Sequence, residues 1–430
     1  MRKIFYFLLV FLLAAVCPGM TADKPPVPVP AVQSSSGLTV RSSAKRTVRD
    51  ECLAYFEELY QKMDENYYFD LRRADYDRFI KAFDEKIYPS LLLEGKSNDY
   101  VRWRSTAYLV DFLKQPDDVF SRFLPPKPAE KFAQEVYGQK IDLGIEGRME
   151  PSGFVVSFIE PRSDAYALGL RENDLIVQID GEDVLKLGQD KVRARLIPLA
   201  GSKVTLDYID GIVRKPHVIA PVSKEYYKQT VFLKATGVPD IYCLDIQKFN
   251  RTTNEDAGRF LPLIAAKNPR GIVIDLRNNP GGPPLAALMI AAFFLPNEEL
   301  FAYFEGRHKP RSELVIPRLP DQFHYNWPMV ILVNSGTGSA SELFSGVMQA
   351  RKRAVVIGRD TAGQVLLKSI FDMSDGSSLA MVVARGHFPD GRAFPFDGVK
   401  PNEYVPDEIP ADQMIGNAAK YLLLKAEGRL

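Results

Sequence analysis

Histidine is scarce in this chain, four in 430 residues, and no pair of His, Cys or carboxylates has the spacing of a metal site. Metal-dependent chemistry is therefore disfavoured, and no cofactor is expected. Cysteine is nearly as rare, with three in all. Cys17 directly follows the amino-terminal apolar run, within the expected signal peptide, and the remaining Cys52 and Cys243 cannot form a disulfide framework; they read as buried thiols. An excess of either charge is also missing, 55 Lys+Arg standing against 54 Asp+Glu. No global basic surface invites nucleic acid or an anionic membrane. The apolar run from Ile4 to Val16 is too short for the ~20 residues that span a bilayer, so no stable membrane span is expected.

What is present divides the chain. Arg2 and Lys3 precede the apolar run, and Cys17-Pro18-Gly19 and Thr21-Ala22 follow it, the signature of a secretory signal peptide over 1–22. Val16 before Cys17 is bulky where lipoprotein processing favours a small residue. The mature protein is expected to be periplasmic or secreted. Residues 23–47, rich in Pro and Ser, read as an extended linker. From 48 to 136 apolar residues recur at helical steps (Leu53, Phe56, Leu59, Tyr60, Met63; then Phe79, Ile80, Phe83, Ile87) and predict a helical domain. From 137 to 225 short strands alternate with turns, including an Asp180-Gly181 hairpin turn. From 226 to 430 strands alternate with helices, the pattern of an α/β layer architecture.

One segment of that last unit could carry chemistry. The apolar run Met329 to Val333 reads as a buried strand, followed by a small-residue turn, Gly336-Thr337-Gly338, and a helix opening at Ser339 with Glu342 placed for a capping box. Amide dipoles at such a helix start favour developing negative charge. A serine there can attack a carbonyl while nearby N–H groups hold the oxyanion, typically worth ~3–4 kcal/mol per donor. The plainer alternative is an N-cap serine and nothing more. A second glycine turn, Asn278-Asn279-Pro280-Gly281-Gly282, follows the run Gly271 to Leu276, which reads as a buried strand, and exposes free amides.

The run Ala167-Leu168-Gly169-Leu170, Asn173-Asp174-Leu175-Ile176 and Ile179-Asp180-Gly181 resembles a PDZ domain. That resemblance implies peptide binding by β-augmentation, with Leu143-Gly144-Ile145 as the carboxylate-binding loop; a small β module used only as a spacer is the alternative. Together with the Ser339 segment, the glycine turn and the tail Gly398-Val399-Lys400-Pro401, the chain from about Val48 to Val405 is similar to the carboxyl-terminal processing peptidases, or tail-specific proteases. The implied fold class is α/β multidomain: an N-terminal helical region, a PDZ-like β domain and a ClpP/crotonase-like serine peptidase core. The implied activity is endoproteolysis near the free C-termini of exported proteins, with Ser339 as nucleophile and the amides of Ala340 and Gly281 or Gly282 as oxyanion donors.

The family's base is a lysine in Thr-Phe-Gly-Lys-Gly-x-Val-Gln; here the segment reads Thr361-Ala362-Gly363-Gln364-Val365-Leu366-Leu367-Lys368. Gln364 holds the lysine position and cannot accept a proton, while Lys368 holds the glutamine position. Lys368 could replace the base if its amine reaches back and its pKa is lowered. The alternatives are a solvated strand lysine, a protease using His308, His324 or His387, and a degenerate peptidase serving as a peptide-binding scaffold. Ala350 stands where the family usually shows Asp, a second departure.

Overall fold

The computed structural model describes residues 47–129, 132, 139–308, 310–406, 409–410 and 413–429. The expected signal peptide and nearly all of the linker lie outside the described residues. Thr47 opens helix α1 (Val48–Asn66): its hydroxyl accepts from Asp50 N–H, while Asp50 takes the Thr47 N–H. One stripe of α1, Cys52, Phe56, Leu59 and Met63, is fully buried. It packs on Phe79 of α2 (Arg73–Ala82), Phe83 of the π turn Phe83–Ile87, and Leu109 of α4 (Asn98–Leu113), with α3 (Tyr88–Leu93) between. The expected helical faces are the core faces, with Leu53, Ile80 and Ile87 at their margins.

This helical core does not close on itself. Met373, Leu379, Met381 and Val383 from the far end of the sequence complete it. They belong to the hairpin β17 (Leu366–Asp372)–β18 (Ser378–His387), whose edge is joined by β1 (Arg122–Leu124). The proline-bounded segment after α4 thus adds a strand to a sheet built some 250 residues later.

A separate sheet follows the order β3-β4-β5-β7-β8, formed by Ile145–Glu150, Gly153–Ile159, Leu175–Ile179, Leu206–Ile209 and Pro216–Ile219. The β5–β6 turn (β6, Glu182–Asp183) has φ of 51° at Asp180 and 77° at Gly181, the positive pair that a two-residue type I′ hairpin requires. Helices α5 (Asp164–Ala167), α6 (Val184–Leu187) and α7 (Gln189–Arg195) complete this unit, while β2 (Gln139–Asp142) pairs outside it with β9 (Lys224–Tyr227).

The third unit is a mostly parallel sheet in the order β10-β11-β12-β15-β16-β19, running through Val231–Lys234, Ile241–Ile246, Gly271–Asp275, Met329–Val333, Val355–Gly358 and Glu403–Tyr404. Strands β12 and β15 are buried along their whole length because both faces are covered. Ile272, Ile274, Ile331 and Val333 face α8 (Thr253–Ala265), α9 (Pro284–Ala291) and α10 (Ala340–Ala350). The alternate residues Val273, Val330 and Leu332 face Ala418, Ala419 and Leu422 of α11 (Met414–Ala426). β13 (Leu300–Glu305) and β14 (Ser312–Val315) extend the sheet that holds β18. Cys52 and Cys243 are both buried and unpaired, as expected.

Candidate active site

Strand β15 delivers its chain into a turn cross-braced to the glycine turn after β12. Asn334 Oδ1 accepts from Asn278 N–H at 2.8 Å, and Thr337 Oγ1 donates to Leu276 O at 2.8 Å. Gly338 N–H donates to Asn279 O at 2.9 Å. The two turns touch closely: a side-chain carbon at Gly281 would lie 2.5 Å from Gly338 O and 2.8 Å from Ser339 Cβ. Only glycine allows that approach.

Ser339 itself has φ 54° and ψ −116°. Three other hydroxyl caps among the described residues, Thr47, Ser97 and Ser163, have φ between −65° and −75° and ψ between 156° and 159°, and each accepts a bond from its helix; a fourth, Thr252, makes no cap bond but keeps φ at −108°. A simple N-cap needs no positive φ, and a non-glycine residue held there stores strain of roughly 1–3 kcal/mol. A strained strand-to-helix turn that exposes a serine at a helix start is the geometry of a nucleophile elbow.

Glu342 pins that geometry. Its fully buried carboxylate accepts four hydrogen bonds: Ser339 N–H and Gln364 N–H on Oε2, each at 2.7 Å, and Thr361 Oγ1 and Gly363 N–H on Oε1, each at 2.6 Å. One side chain thus fixes the serine backbone to the segment expected to carry the base. The capping-box spacing predicts the first of these bonds; the other three cross 19 to 22 residues and leave no periodic signal.

Of the expected oxyanion donors, Ala340 N–H and Gly282 N–H have no acceptor among the described residues, whereas Gly281 N–H donates to Asn279 Oδ1 at 2.9 Å. The side-chain oxygen of Gln364 lies 3.5 Å from where a Gly338 side chain would begin, so Gln364 stands beside the serine turn. Lys368 follows a register shift between Leu367 and Lys368 that breaks simple strand alternation. Its amine lies 4.4 Å over the Phe120 ring, and no hydrogen bond or ion pair engages it among the described residues. Desolvation and, second, Arg122 lower its pKa, while Asp118 and Glu342 pull it up. Glu342, at the start of the Ser339 helix, thus lies within electrostatic range of the Lys368 amine.

Ala350 is the last residue of the 11-residue α10, about 16 Å along the helix from Ser339. One expectation changes. The Leu143 to Ile145 loop is not an open nest: Leu143 is fully buried and its N–H donates to Leu196 O, while Gly144 N–H donates to Asp142 Oδ1 at 2.6 Å. Ile145 begins β3, and β3 is the outer strand of its sheet. The histidines are occupied elsewhere or apart: His387 stacks on Tyr303 with centroids 4.7 Å apart, His324 bonds Asn297, and His308 is exposed. Among the described residues no group of three or more His, Cys, Asp or Glu is arranged to hold a metal ion.

A peptidase family S41 profile matches residues 240–405, and a PDZ domain profile matches residues 134–209. The carboxyl-terminal-processing protease of Synechocystis sp. is 27% identical over 327 residues, covering 73% of this chain and 74% of the relative. The chain is similar to the carboxyl-terminal processing peptidases. The protein of the same name from Picosynechococcus sp. is 28% identical over 330 residues, covering 74% of this chain and 77% of its own. In fold, this peptidase resembles the photosystem II D1 C-terminal processing protease, at TM-score 0.51 and 21% identity over 86% of this chain and 97% of that one. It is a serine-type hydrolase with a helical N-terminal region, a PDZ domain and an S41 peptidase core. The scaffold reading gains no support from relatives that are named as proteases.

Proposed function

We propose that this peptidase cleaves exported proteins near their free C-termini with Ser339 as nucleophile and Lys368 as base. The observation that carries the reading is the backbone of Ser339, held at φ 54° where no other hydroxyl cap of a helix among the described residues has a positive φ. Strain kept at one serine, beside a glycine turn and unbonded N–H groups, is what acyl transfer uses.

The reaction follows from the donors and acceptors. Neutral Lys368 takes the Ser339 proton as Oγ attacks the scissile carbonyl. The resulting oxyanion is held by the N–H groups of Ala340 and Gly282, and Gly281 serves instead by allowing close approach. The lysine ammonium then protonates the leaving amine, and water hydrolyses the acyl-enzyme by the same path. The unpaired amine over Phe120, its pKa lowered by desolvation, supports Lys368 in this role. The outer edge of β3 supports a substrate tail added as a further strand, although two loop amides are satisfied internally. No described helix is long and apolar enough to cross a membrane, and the basic, apolar, small-residue amino terminus supports export.

The test is labelling by a serine-reactive phosphonate together with cleavage of a peptide that has a free apolar C-terminus. Ser339→Ala should lose both, and Lys368→Ala should lose cleavage as fully. Turnover by Ser339→Ala at the parent rate would overturn the assignment.

A further inference from the structure

Lys368 faces more than its own domain. The residues around its amine come from the helical region: Phe120 beneath it, with Asp118 and Arg122 of the same short segment within electrostatic range. This segment is fixed with unusual thoroughness for a connection between domains. Asp118 is buried and accepts Tyr67 Oη at 2.7 Å, Phe120 N–H at 3.0 Å and Ser121 N–H at 2.8 Å. Ser121 Oγ accepts the N–H of Val382 at 3.0 Å, and Val382 is the β18 residue opposite Lys368. Tyr68 N–H donates to Val382 O at 3.0 Å. Arg122 to Leu124 then pair with Ala380 to Ser378. The backbone that carries Lys368 and the backbone that carries Phe120 and Arg122 are therefore bonded through one strand, and their relative position is set.

We infer that the helical region completes the active site: the Asp118–Arg122 segment is the wall against which Lys368 is held, and Arg122 is a positioning residue for its uncharged form. The inference rests on Lys368 being the base. The charges that meet the amine are Arg122 and Asp118 from the helical side and Glu342 from the nucleophile helix. Arg122 is the cation among them, so it alone disfavours the ammonium and favours the state that can accept a proton. Phe120 excludes water from the amine but also attracts the ammonium through its ring face, two effects of opposite sign. Arg122 is accordingly the cleaner probe. It is exposed, so its replacement does not empty a core.

The experiment measures the pH dependence of labelling by a serine-reactive phosphonate and of cleavage of a peptide with a free apolar C-terminus. It uses the full chain and its Arg122→Gln, Arg122→Lys and Lys368→Ala variants. Arg122→Gln should move the acidic limb to higher pH, slowing both reactions about threefold at neutral pH, with recovery at alkaline pH. Arg122→Lys, which keeps the cation, should follow the parent. An Arg122→Gln profile that superimposes on the parent, beside an inactive Lys368→Ala, overturns the inference. Equal, pH-independent losses in both Arg122 variants overturn it as well, because they signal a packing role. A Lys368→Ala variant that keeps the parent's acidic limb overturns the base assignment itself.

Discussion

At the scale of single residues, the exchange between positions 364 and 368 is the feature on which activity turns. Gln364 stands beside Gly338 with its N–H on the same Glu342 oxygen that holds Ser339, so a lysine at 364 would approach the serine from the family's usual direction. Gln364→Lys introduced into Lys368→Ala should therefore recover about a hundredfold of the lost cleavage, the range of general-base catalysis. No recovery in a variant that melts like its parent would mean that the 361–364 backbone no longer delivers a lysine to Ser339. Glu342 is the second test. Replacing it by Gln turns one of two acceptor oxygens into a donor facing N–H or O–H groups, at a cost of about 2–4 kcal/mol. Thermal melting should register that loss, and phosphonate labelling should fall with it. A melting midpoint at the parent value would show that the four bonds do not act together.

Among elements, those written by local pattern were legible in the sequence. The stripe Phe56, Leu59, Met63 gave α1, and the continuous apolar runs of β12 and β15 gave strands covered on both faces. What could not be read was pairing over long sequence distances. Arg122–Leu124 is a three-residue strand with no periodicity of its own, and its partner lies on β18. The wall beside Lys368 was invisible for the same reason, as was the Asn279 side chain that takes Gly281 N–H. Asp375, in the turn of the β17–β18 hairpin, shows how firmly the helical region is tied on. It accepts Tyr55 Oη and Trp103 Nε1, each at 2.7 Å, Arg102 at 3.3 Å, and both the N–H and hydroxyl of Ser377. Burial pushes its pKa up, but the bonds from Ser377, Trp103 and Tyr55 outweigh burial and hold it well below the usual carboxylate range. A depressed carboxylate stabilises the fold above its ordinary titration range and loses that contribution as pH falls toward the folded value. Asp375→Ala should cost about 2–4 kcal/mol at neutral pH, and the gap from the parent should narrow as pH drops below the usual carboxylate range. A gap constant with pH would place the loss in packing instead of charge.

At the scale of the whole molecule, the PDZ domain meets the peptidase core through a buried charged joint. Glu160 and Asp256 are almost fully buried, and Arg162 reaches between them, donating to Asp256 Oδ1 at 2.8 Å and lying 3.8 Å from Glu160. Gln229 N–H caps Glu160 at 2.8 Å, and Thr230 N–H caps Asp256 at 3.0 Å, so both connecting residues are held by acids from opposite sides. Desolvation raises the pKa of Glu160, against the bonds from Gln229 and Arg162 that lower it. A raised carboxyl binds its proton more tightly in the folded state, so stability is fullest at low pH and declines as pH rises through the folded value. Removing Arg162 takes away an opposing cation and leaves the ionised Glu160 less compensated, while Asp256 keeps Arg259. Arg162→Met should therefore destabilise the protein by about 2–4 kcal/mol near pH 8 and by clearly less near pH 5, where Glu160 is closer to neutral. Thermal melts of parent and variant at the two pH values make the comparison, with limited proteolysis between residues 220 and 230 reporting whether the joint opens. Equal deficits at both pH values would mean that Arg162 acts through Asp256 and packing, and that Glu160 carries no part of the coupling between the two domains.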